Sequence, residues 1–158
     1  MHNGNVPNIN GFRRKAEGLL SDDLYFAKKG TTDSELIFLL LLANGLDTDP
    51  LQAVQRTLEV CKSGLAANNG PNRFVCAFSD GENIYAFRHS SDRKSPTLYV
   101  CESLDNQGTV ISSEPLDDDG YEWKTIPEDS FVTLSSDQVE ITPLFGHPVS
   151  TSLEKHAC

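Results

Sequence analysis

Asn3 and Gly4, close to the start of the chain, carry hydrogen-bond donors of a kind used in amide hydrolysis. The Asn3 side-chain NH2 and the Gly4 backbone N–H are suited to the oxyanion of a tetrahedral intermediate, and such donors contribute about 3–4 kcal/mol each. Glycine also lets the backbone come close to a substrate. The alternative is an ordinary turn, because Asn-Gly is a common turn dipeptide. The sequence leaves both interpretations open.

Asp33 is the second candidate, within the segment Gly30-Thr31-Thr32-Asp33-Ser34-Glu35. A carboxylate binds an ammonium group through charge-assisted hydrogen bonds. The alternative is structural, because an acid in the first turn of a helix is favoured by the helix dipole. Thr32 and Glu35 also have the spacing of a capping box, in which each satisfies a backbone N–H at the helix start. The two interpretations are compatible, since a capped helix start holds Asp33 rigidly.

The order and spacing of these two segments resemble those of class II glutamine amidotransferases, which are N-terminal-nucleophile hydrolases. Asp33 follows Asn3 by 30 residues, with an amphipathic helix predicted between them. A third stretch adds to the resemblance: Ser112-Ser113-Glu114-Pro115-Leu116, followed by Trp123 and Pro127. It is similar to a stretch found in one branch of the family, the γ-glutamyl hydrolases of thiol metabolism. The resemblance covers nearly all of residues 2–143.

The resemblance implies a fold, a ligand and roles for three residues. The implied fold is α+β, part of a four-layer αββα sandwich of two antiparallel sheets flanked by helices. Asn3 and Gly4 would form the oxyanion hole, and Asp33 would bind the α-amino group of glutamine or a γ-glutamyl small molecule. No cofactor is implied, and the roles of Ser113 and Glu114 stay open. The function implied for the full-length protein is hydrolysis of γ-glutamyl amide bonds.

The chain departs from the family pattern at its start. The family's nucleophile is a cysteine at the mature N-terminus whose free α-amino group is the base, so an internal cysteine cannot replace it. Only Met1 precedes His2 here. We therefore expect an N-terminally truncated domain that is inactive alone. The family's upstream arginine for the glutamine carboxylate is also missing, and we interpret five arginines as surface charges: Arg13, Arg14, Arg73, Arg88 and Arg93.

A truncated sandwich has an open sheet edge and uncovered apolar surface. We therefore expect self-association, or pairing with the missing N-terminal segment. A different class of function is also possible on the same scaffold: a non-catalytic domain that binds a ligand or pairs its sheet edge with another protein.

The composition excludes several partners. The net charge is −10 and the pI about 4.7, which repels nucleic-acid phosphates and anionic lipid, so we expect no nucleic-acid and no membrane partner. No targeting segment is visible, and the apolar run 36–43 is far shorter than a membrane span. These observations favour the cytoplasm. The 158 residues fit one domain, which we assign to residues 1–144, with a polar tail over residues 145–158.

No metal site is predicted. The four cysteines have no metal-ligand spacing, and Cys61, Cys76 and Cys101 fall on apolar patterns typical of buried thiols. Two aspartate-rich segments, which include residues 47–49 and 117–119, lack the glycine and glutamate of a calcium loop. His89 has no partner at a useful spacing and is interpreted as a surface or loop residue.

Three helices are predicted before a set of strands. Apolar spacing from Phe12 to Leu20 indicates the first helix, and the capped, wholly apolar run after Thr32 indicates a buried second helix that ends at Asn44-Gly45. The third begins with Asp49 as its cap and Pro50 in the first turn. An antiparallel meander follows, with strands predicted over residues 73–78, 84–88, 98–102, 109–113, 131–134 and 139–144.

Overall fold

The computed structural model describes residues 1–7, 9–64, 70–102, 104, 108–116, 121–136 and 138–146. The chain divides into two compact units, Met1 with Asn5–Asn72 and His2–Gly4 with Arg73–Cys158. In the described residues the first is helical and the second is built of strands, which confirms the α+β class. No helix in this part of the chain is long and apolar enough to cross a membrane.

The helical unit forms around apolar faces that its longer helices share. α1, α3 and α4 pack against one another, and α1 contributes the buried side chains of Phe12 and Ala16. α3 is buried on nearly every side, as its apolar sequence predicts. The bounds are α1 Ile9–Glu17, α2 Asp22–Ala27, α3 Asp33–Ala43 and α4 Pro50–Gly64.

The ends of α3 and α4 confirm the predicted stop and start. Asn44 ends α3, and its side-chain NH2 donates to the Leu40 carbonyl at 2.8 Å and to the Thr57 hydroxyl on α4 at 3.1 Å. The Asp49 carboxylate accepts from the Gln52 N–H at 2.9 Å, so Asp49 caps α4 as expected. The side chain that ends α3 therefore also contacts α4.

The predictions for the first part of the helical unit are partly wrong. α1 ends at Glu17, so Leu19 does not continue its buried face and is 55% exposed. The short helix α2 was not predicted. It begins where the Ser21 hydroxyl accepts from the Leu24 N–H, and it has no buried residues. A helix without a buried face shows no apolar periodicity in the sequence.

The sheet unit contains two antiparallel layers in the described residues. A five-stranded sheet has the order β1-β2-β3-β7-β8, and a three-stranded sheet has the order β5-β4-β6. The predicted simple meander is wrong, because β4, β5 and β6 are inserted between the paired strands β3 and β7. The bounds are β1 His2–Asn5, β2 Arg73–Ser79, β3 Ile84–Ser90, β4 Tyr99–Cys101, β5 Val110–Ser112, β6 Lys124–Thr125, β7 Ser130–Leu134 and β8 Val139–Pro143.

One apolar cluster joins the two sheets of this unit. Residues that pair across antiparallel strands share a face, and Ala86 pairs with both Ala77 and Val132 in this way. Their face of the large sheet packs with Leu98 and Val100 of the small sheet. The cluster consists of Val75, Ala86, Leu98, Val100, Ile126, Val132 and Leu134, each no more than 5% exposed.

Candidate active site

Asn3 and Gly4 lie in the strand β1, at the edge of the large sheet and next to β2. The interpretation of Asn-Gly as a turn is therefore wrong. Gly4 is required by packing, because a Cβ atom at this position would overlap the backbone carbonyl of Arg73. The side chain of Asn3 is exposed. The strand thus holds Gly4 against its neighbour and leaves the Asn3 amide accessible.

An aromatic contact also anchors β1. The His2 ring lies 5.9 Å from the ring of Phe74 on β2, between centroids. Phe74 is buried and lies 6.4 Å from Phe87 on β3. His2 is therefore held by side-chain packing, while Gly4 is held by close contact of its backbone with β2.

Asp33 is the first residue of α3. The Thr32 hydroxyl accepts from the Glu35 N–H at 3.2 Å, which caps the helix as predicted. One carboxylate oxygen of Asp33, Oδ1, accepts from the Ser34 N–H at 2.8 Å. Among the described residues, no group donates to its other oxygen, Oδ2. Asp33 is half-buried, so the fold orients its carboxylate and leaves one oxygen available for a donor.

The other half of the predicted capping box is wrong. The Glu35 side chain does not accept from the Thr32 N–H. Instead, Oε1 accepts from the Lys29 N–H at 2.6 Å and Oε2 from the Gly30 N–H at 2.7 Å. Gly30 allows this approach, because a Cβ atom there would lie 3.2 Å from Glu35 Oε2. Glu35 therefore holds the segment that leads into the helix.

Arg13 is not the surface charge that the sequence suggested, since its side chain is only 20% exposed. Its Nη2 donates to the Thr31 carbonyl at 2.5 Å, and its Nη1 lies 3.9 Å from Glu17 Oε1. Glu17 in turn accepts from Lys28 Nζ at 2.5 Å. Nothing in the sequence spacing pointed to the Thr31 contact, because the acceptor is a backbone group 18 residues away.

The surface interpretation is also wrong for Arg88, whereas the Arg73 side chain is 39% exposed and is a surface charge as expected. Arg73 forms an ion pair with Asp92 at 2.7 Å, and this hydrogen bond lowers the pKa of the Asp92 carboxyl. Arg88 is half-buried, and burial lowers the pKa of its guanidinium. Arg14 and Arg93 are exposed, as expected.

Arg88 belongs to a polar network at the base of the inserted strands. Its Nε donates to the Ser95 hydroxyl and the Pro96 carbonyl, each at 2.9 Å, and its Nη1 donates to the Ile126 carbonyl at 2.6 Å. Glu128 accepts from the Ser95 N–H at 2.6 Å.

His89 lies at the same base and is not a partnerless residue. Its Nδ1 lies 2.6 Å from Asp129 Oδ1, so the prediction of an unpartnered surface or loop histidine is wrong. We call this base, formed by Arg88, His89, Ser90, Ile126, Glu128 and Asp129, the neck. It joins the two ends of an inserted segment and is a structural network.

The described cysteines are free and buried, as predicted. Burial raises the pKa of the Cys61 thiol to about 12, so this thiol is protonated at neutral pH and is a poor nucleophile. In the described ranges, no group of three or more His, Cys, Asp or Glu is arranged to hold a metal ion. Cys158, residues 117–119 and most of the predicted tail lie outside those ranges.

The three candidate site residues are divided between the two units. Asn3 and Gly4 are adjacent in the sheet unit, whereas Asp33 lies in the helical unit. The geometry of each segment is defined within its own unit. Of the third stretch, β5 ends at Ser112, and Glu114 beyond it is exposed.

Comparison with known proteins gives three informative relatives, although no protein-family model matches the chain. The probable glutamine amidotransferase DUG3 of Saccharomyces cerevisiae is 25% identical over 91% of this chain and 51% of that protein. The structure of a glutamine aminotransferase class-II domain protein from Silicibacter pomeroyi has a TM-score of 0.79 and 34% identity. That match covers 90% of this chain and 66% of the other.

A more distant structure shares only the fold. The glutamine phosphoribosylpyrophosphate amidotransferase of B. subtilis, solved with ADP and GMP, has a TM-score of 0.67 at 13% identity. That match covers 93% of this chain and 29% of the other. Helices with antiparallel sheets and these neighbours together define an α+β domain with an N-terminal-nucleophile-hydrolase-like fold.

Within that class, the chain belongs to the class II glutamine amidotransferase family. It spans about half the length of its yeast relative and 66% of the bacterial chain.

Proposed function

We propose that a full-length protein containing this chain hydrolyses γ-glutamyl amide bonds, in glutamine or in a γ-glutamyl peptide. Asp33 binds the ammonium of the substrate's α-amino group. The Asn3 side-chain amide and the Gly4 N–H hold the oxyanion. The observation that carries this proposal is the state of Asp33: Oδ1 is fixed by the Ser34 N–H, and nothing among the described residues donates to Oδ2. A rigid carboxylate with an available oxygen suits an ammonium ligand.

The proposed reaction has two stages. A cysteine thiolate attacks the amide carbon, and the carbonyl electron pair moves to the oxygen, where Asn3 and Gly4 donate to it. Collapse of this intermediate breaks the C–N bond, and the leaving nitrogen takes a proton to depart as ammonia or an amine. Water then attacks the thioester, which releases glutamate and returns the thiol.

The proposal places the nucleophile on a segment that precedes this chain in the full-length protein. Its base is a free α-amino group, which no internal cysteine has. Cys61, Cys76 and Cys101 are also buried, and burial keeps Cys61 protonated. Free buried thiols agree with a reducing compartment, and we propose the cytoplasm.

The test begins with the endogenous protein. Its intact mass and N-terminal sequence are measured first, and its release of glutamate from glutamine is then assayed. We expect an N-terminal cysteine and measurable hydrolysis. Asn3→Ala should lower kcat by about 10²–10³-fold, because one oxyanion donor is lost. No hydrolysis by a protein whose N-terminal cysteine is verified would contradict the proposal.

Asp33→Asn should act mainly on substrate binding and raise KM for glutamine at least about tenfold, since a charge-assisted bond to the ammonium is lost. Asp23→Asn is the matched control, because Asp23 is also an acid in the first turn of a helix of this unit and is exposed. Equal KM values for the two variants would exclude the assigned role of Asp33. The isolated 158-residue chain should release no glutamate with either substitution.

The order of the large sheet favours a second property, association through a sheet edge. Among the described strands, β1 and β8 lie at the two edges of the large sheet. Edge strands present unpaired backbone groups that add further strands. We propose that the isolated chain self-associates or pairs with the N-terminal segment of the full-length protein. Sedimentation of the chain as a monomer that neither changes with concentration nor binds that segment would contradict this.

A further inference from the structure

The segment Lys28–Thr31, which we call the strap, leads directly into the cap of α3. Helix α3 holds the strap through the carboxylate of Glu35. This carboxylate accepts from the backbone N–H of Lys29 at 2.6 Å and from that of Gly30 at 2.7 Å. Hydrogen bonds to an ionised acceptor are short and stronger than those between neutral groups. Both oxygens of one side chain therefore fix two consecutive peptide units of the strap.

Helix α1 holds the strap at its two ends. Arg13 donates to the Thr31 carbonyl at 2.5 Å, and Glu17 pairs with Lys28 Nζ at 2.5 Å. The side chains of Arg13, Glu17 and Lys28 are only 20–22% exposed. Charges so far removed from solvent are screened less than surface charges. Every residue of the strap is therefore bonded to a charged side chain of α1 or α3. Lys28 forms its bond through its own side chain, and the other three residues through their backbone.

Glu35 is not needed to cap its own helix. The Thr32 hydroxyl already accepts from the Glu35 N–H, and the Glu35 side chain reaches residues that precede the cap. The helix thus keeps its start without this carboxylate, whereas the strap depends on it. Thr32 therefore stabilises the start of the helix, whereas the Glu35 carboxylate places the residues next to the strap.

We propose that Glu35 and Arg13 are positioning residues for Asp33. They fix the strap, and the strap fixes the path of the backbone into Thr32 and Asp33, so the available carboxylate oxygen of Asp33 meets the substrate ammonium. This inference rests on the proposed function of Asp33. The physical reason is that hydrogen bonds weaken steeply when their geometry departs from the ideal, so a displaced Asp33 carboxylate would bind the ammonium less tightly.

The experiment compares Glu35→Gln with Glu59→Gln in the full-length protein. Glutamine at position 35 keeps the size of the side chain but replaces one acceptor oxygen with an NH2 donor, so it cannot present a separate acceptor oxygen to each N–H group. Glu59 is an exposed acid whose ion pair with Lys62 lies on the helix surface. We expect Glu35→Gln to raise KM for glutamine about tenfold with little change in kcat, and Glu59→Gln to change neither.

A second measurement reports on the strap itself. Amide hydrogen exchange of Lys29 and Gly30 should be slow in the wild type and fast in Glu35→Gln, while the melting temperature changes little. Gly30→Ala provides an independent variant, because its Cβ atom would lie 3.2 Å from Glu35 Oε2 and crowd that carboxylate without removing the charge. We expect a rise in KM that is smaller than that of Glu35→Gln. Arg13→Lys should show a smaller rise, and Arg14→Lys, on the exposed side of α1, should show none.

The outcomes separate the two proposals. If glutamine is hydrolysed, Asp33→Asn raises KM and Glu35→Gln leaves KM unchanged despite faster exchange of the strap, the positioning role is wrong and the proposed function stands. An unchanged exchange rate in Glu35→Gln also overturns the positioning role. If the wild type neither binds nor hydrolyses glutamine, the proposed function fails and the inference fails with it.

Discussion

The two segments that carry the candidate site are held in place by different physical means. In the sheet unit, Gly4 is fixed by close backbone packing that admits no side chain, and His2 by contact with a buried ring. In the helical unit, Asp33 accepts from the Ser34 N–H, the Thr32 hydroxyl caps the helix, and the Glu35 carboxylate holds the strap. Steric fit fails abruptly when an atom is added, whereas a charged network weakens by degrees with pH, salt and substitution.

The largest effect should come from adding one methyl group to the tightly packed segment. Gly4→Ala places a Cβ atom against the Arg73 carbonyl, and the backbone of neither strand can yield cheaply. We expect a loss of about 3 kcal/mol in the free energy of unfolding, measured with urea.

Gly146→Ala is the control for this change, since a methyl group added there would meet no atom within 4 Å among the described residues. It should alter the free energy of unfolding by less than about 0.5 kcal/mol. If Gly4→Ala is as stable as the wild type, close backbone packing does not fix Gly4 against β2.

A smaller loss is expected from Arg88→Met, which tests whether the sheet unit also depends on polar contacts. The change leaves the Ile126 carbonyl and the acceptors at Ser95 and Pro96 without their donor. Buried groups without a partner destabilise a fold, and we expect a loss of about 2 kcal/mol. Exposed Arg93→Met should have no effect of this size. Equal stability of the two variants would show that the neck does not stabilise the fold.

Thr32→Ala should cost less again, because it removes one helix cap. The lost bond is the one from the Glu35 N–H to the Thr32 hydroxyl, and we expect a decrease of about 1 kcal/mol in the free energy of unfolding. Thr31→Ala is the matched control, since no bond to the Thr31 side chain is formed among the described residues. A similar loss in both variants would mean that the hydroxyl of Thr32 is not the source of the effect.

The smallest expected effect concerns Asp80 in the turn between β2 and β3. Its carboxylate accepts from the N–H groups of Asn83 and Glu82 and from the Tyr85 hydroxyl. The bond from Asn83 contributes most to lowering the Asp80 pKa from 3.8 to about 2. Because the folded pKa is lowered, this contribution is complete above about pH 4 and is lost as the pH falls through about 2.

The melting temperature measured between pH 5 and about pH 2 checks this expectation. Asp80→Asn should show a shallower decline over the acidic part of that range than the wild type, since it has no carboxyl to protonate. Glu82→Gln, an exposed neighbour, should decline like the wild type. Identical profiles for wild type and Asp80→Asn would contradict the linkage.

The sequence predicted the local features of this fold well and the distant ones poorly. The caps at Thr32 and Asp49 and the stop at Asn44 lie within a few residues of the groups they bind, so their patterns are visible. Strand β6 has two residues, too few to show any periodicity. The pairing of β3 with β7 depends on residues far apart in the sequence, and no pattern encoded it.

The candidate site divides along the same line. Family resemblance indicated Asn3, Gly4 and Asp33, and their roles remain predictions. The sequence did not predict a positioning role for Arg13 or Glu35, because both side chains bond to backbone groups, which every residue type has. The capping-box spacing even suggested a wrong partner for Glu35. The glycine at position 30, which permits the approach of Glu35, is the feature of the sequence that is consistent with this contact.

The neck has a consequence for the order in which this protein folds. On β3, Arg88 pairs with Ser130 on β7, which lies 42 residues later. Closing a flexible loop of that length costs about 3 kcal/mol of chain entropy. The small sheet inserted between the strands shortens the effective path, and the neck then joins its two ends. We therefore expect β3 and β7 to dock late, after the inserted strands have formed, with refolding on the slow scale of non-local β topologies.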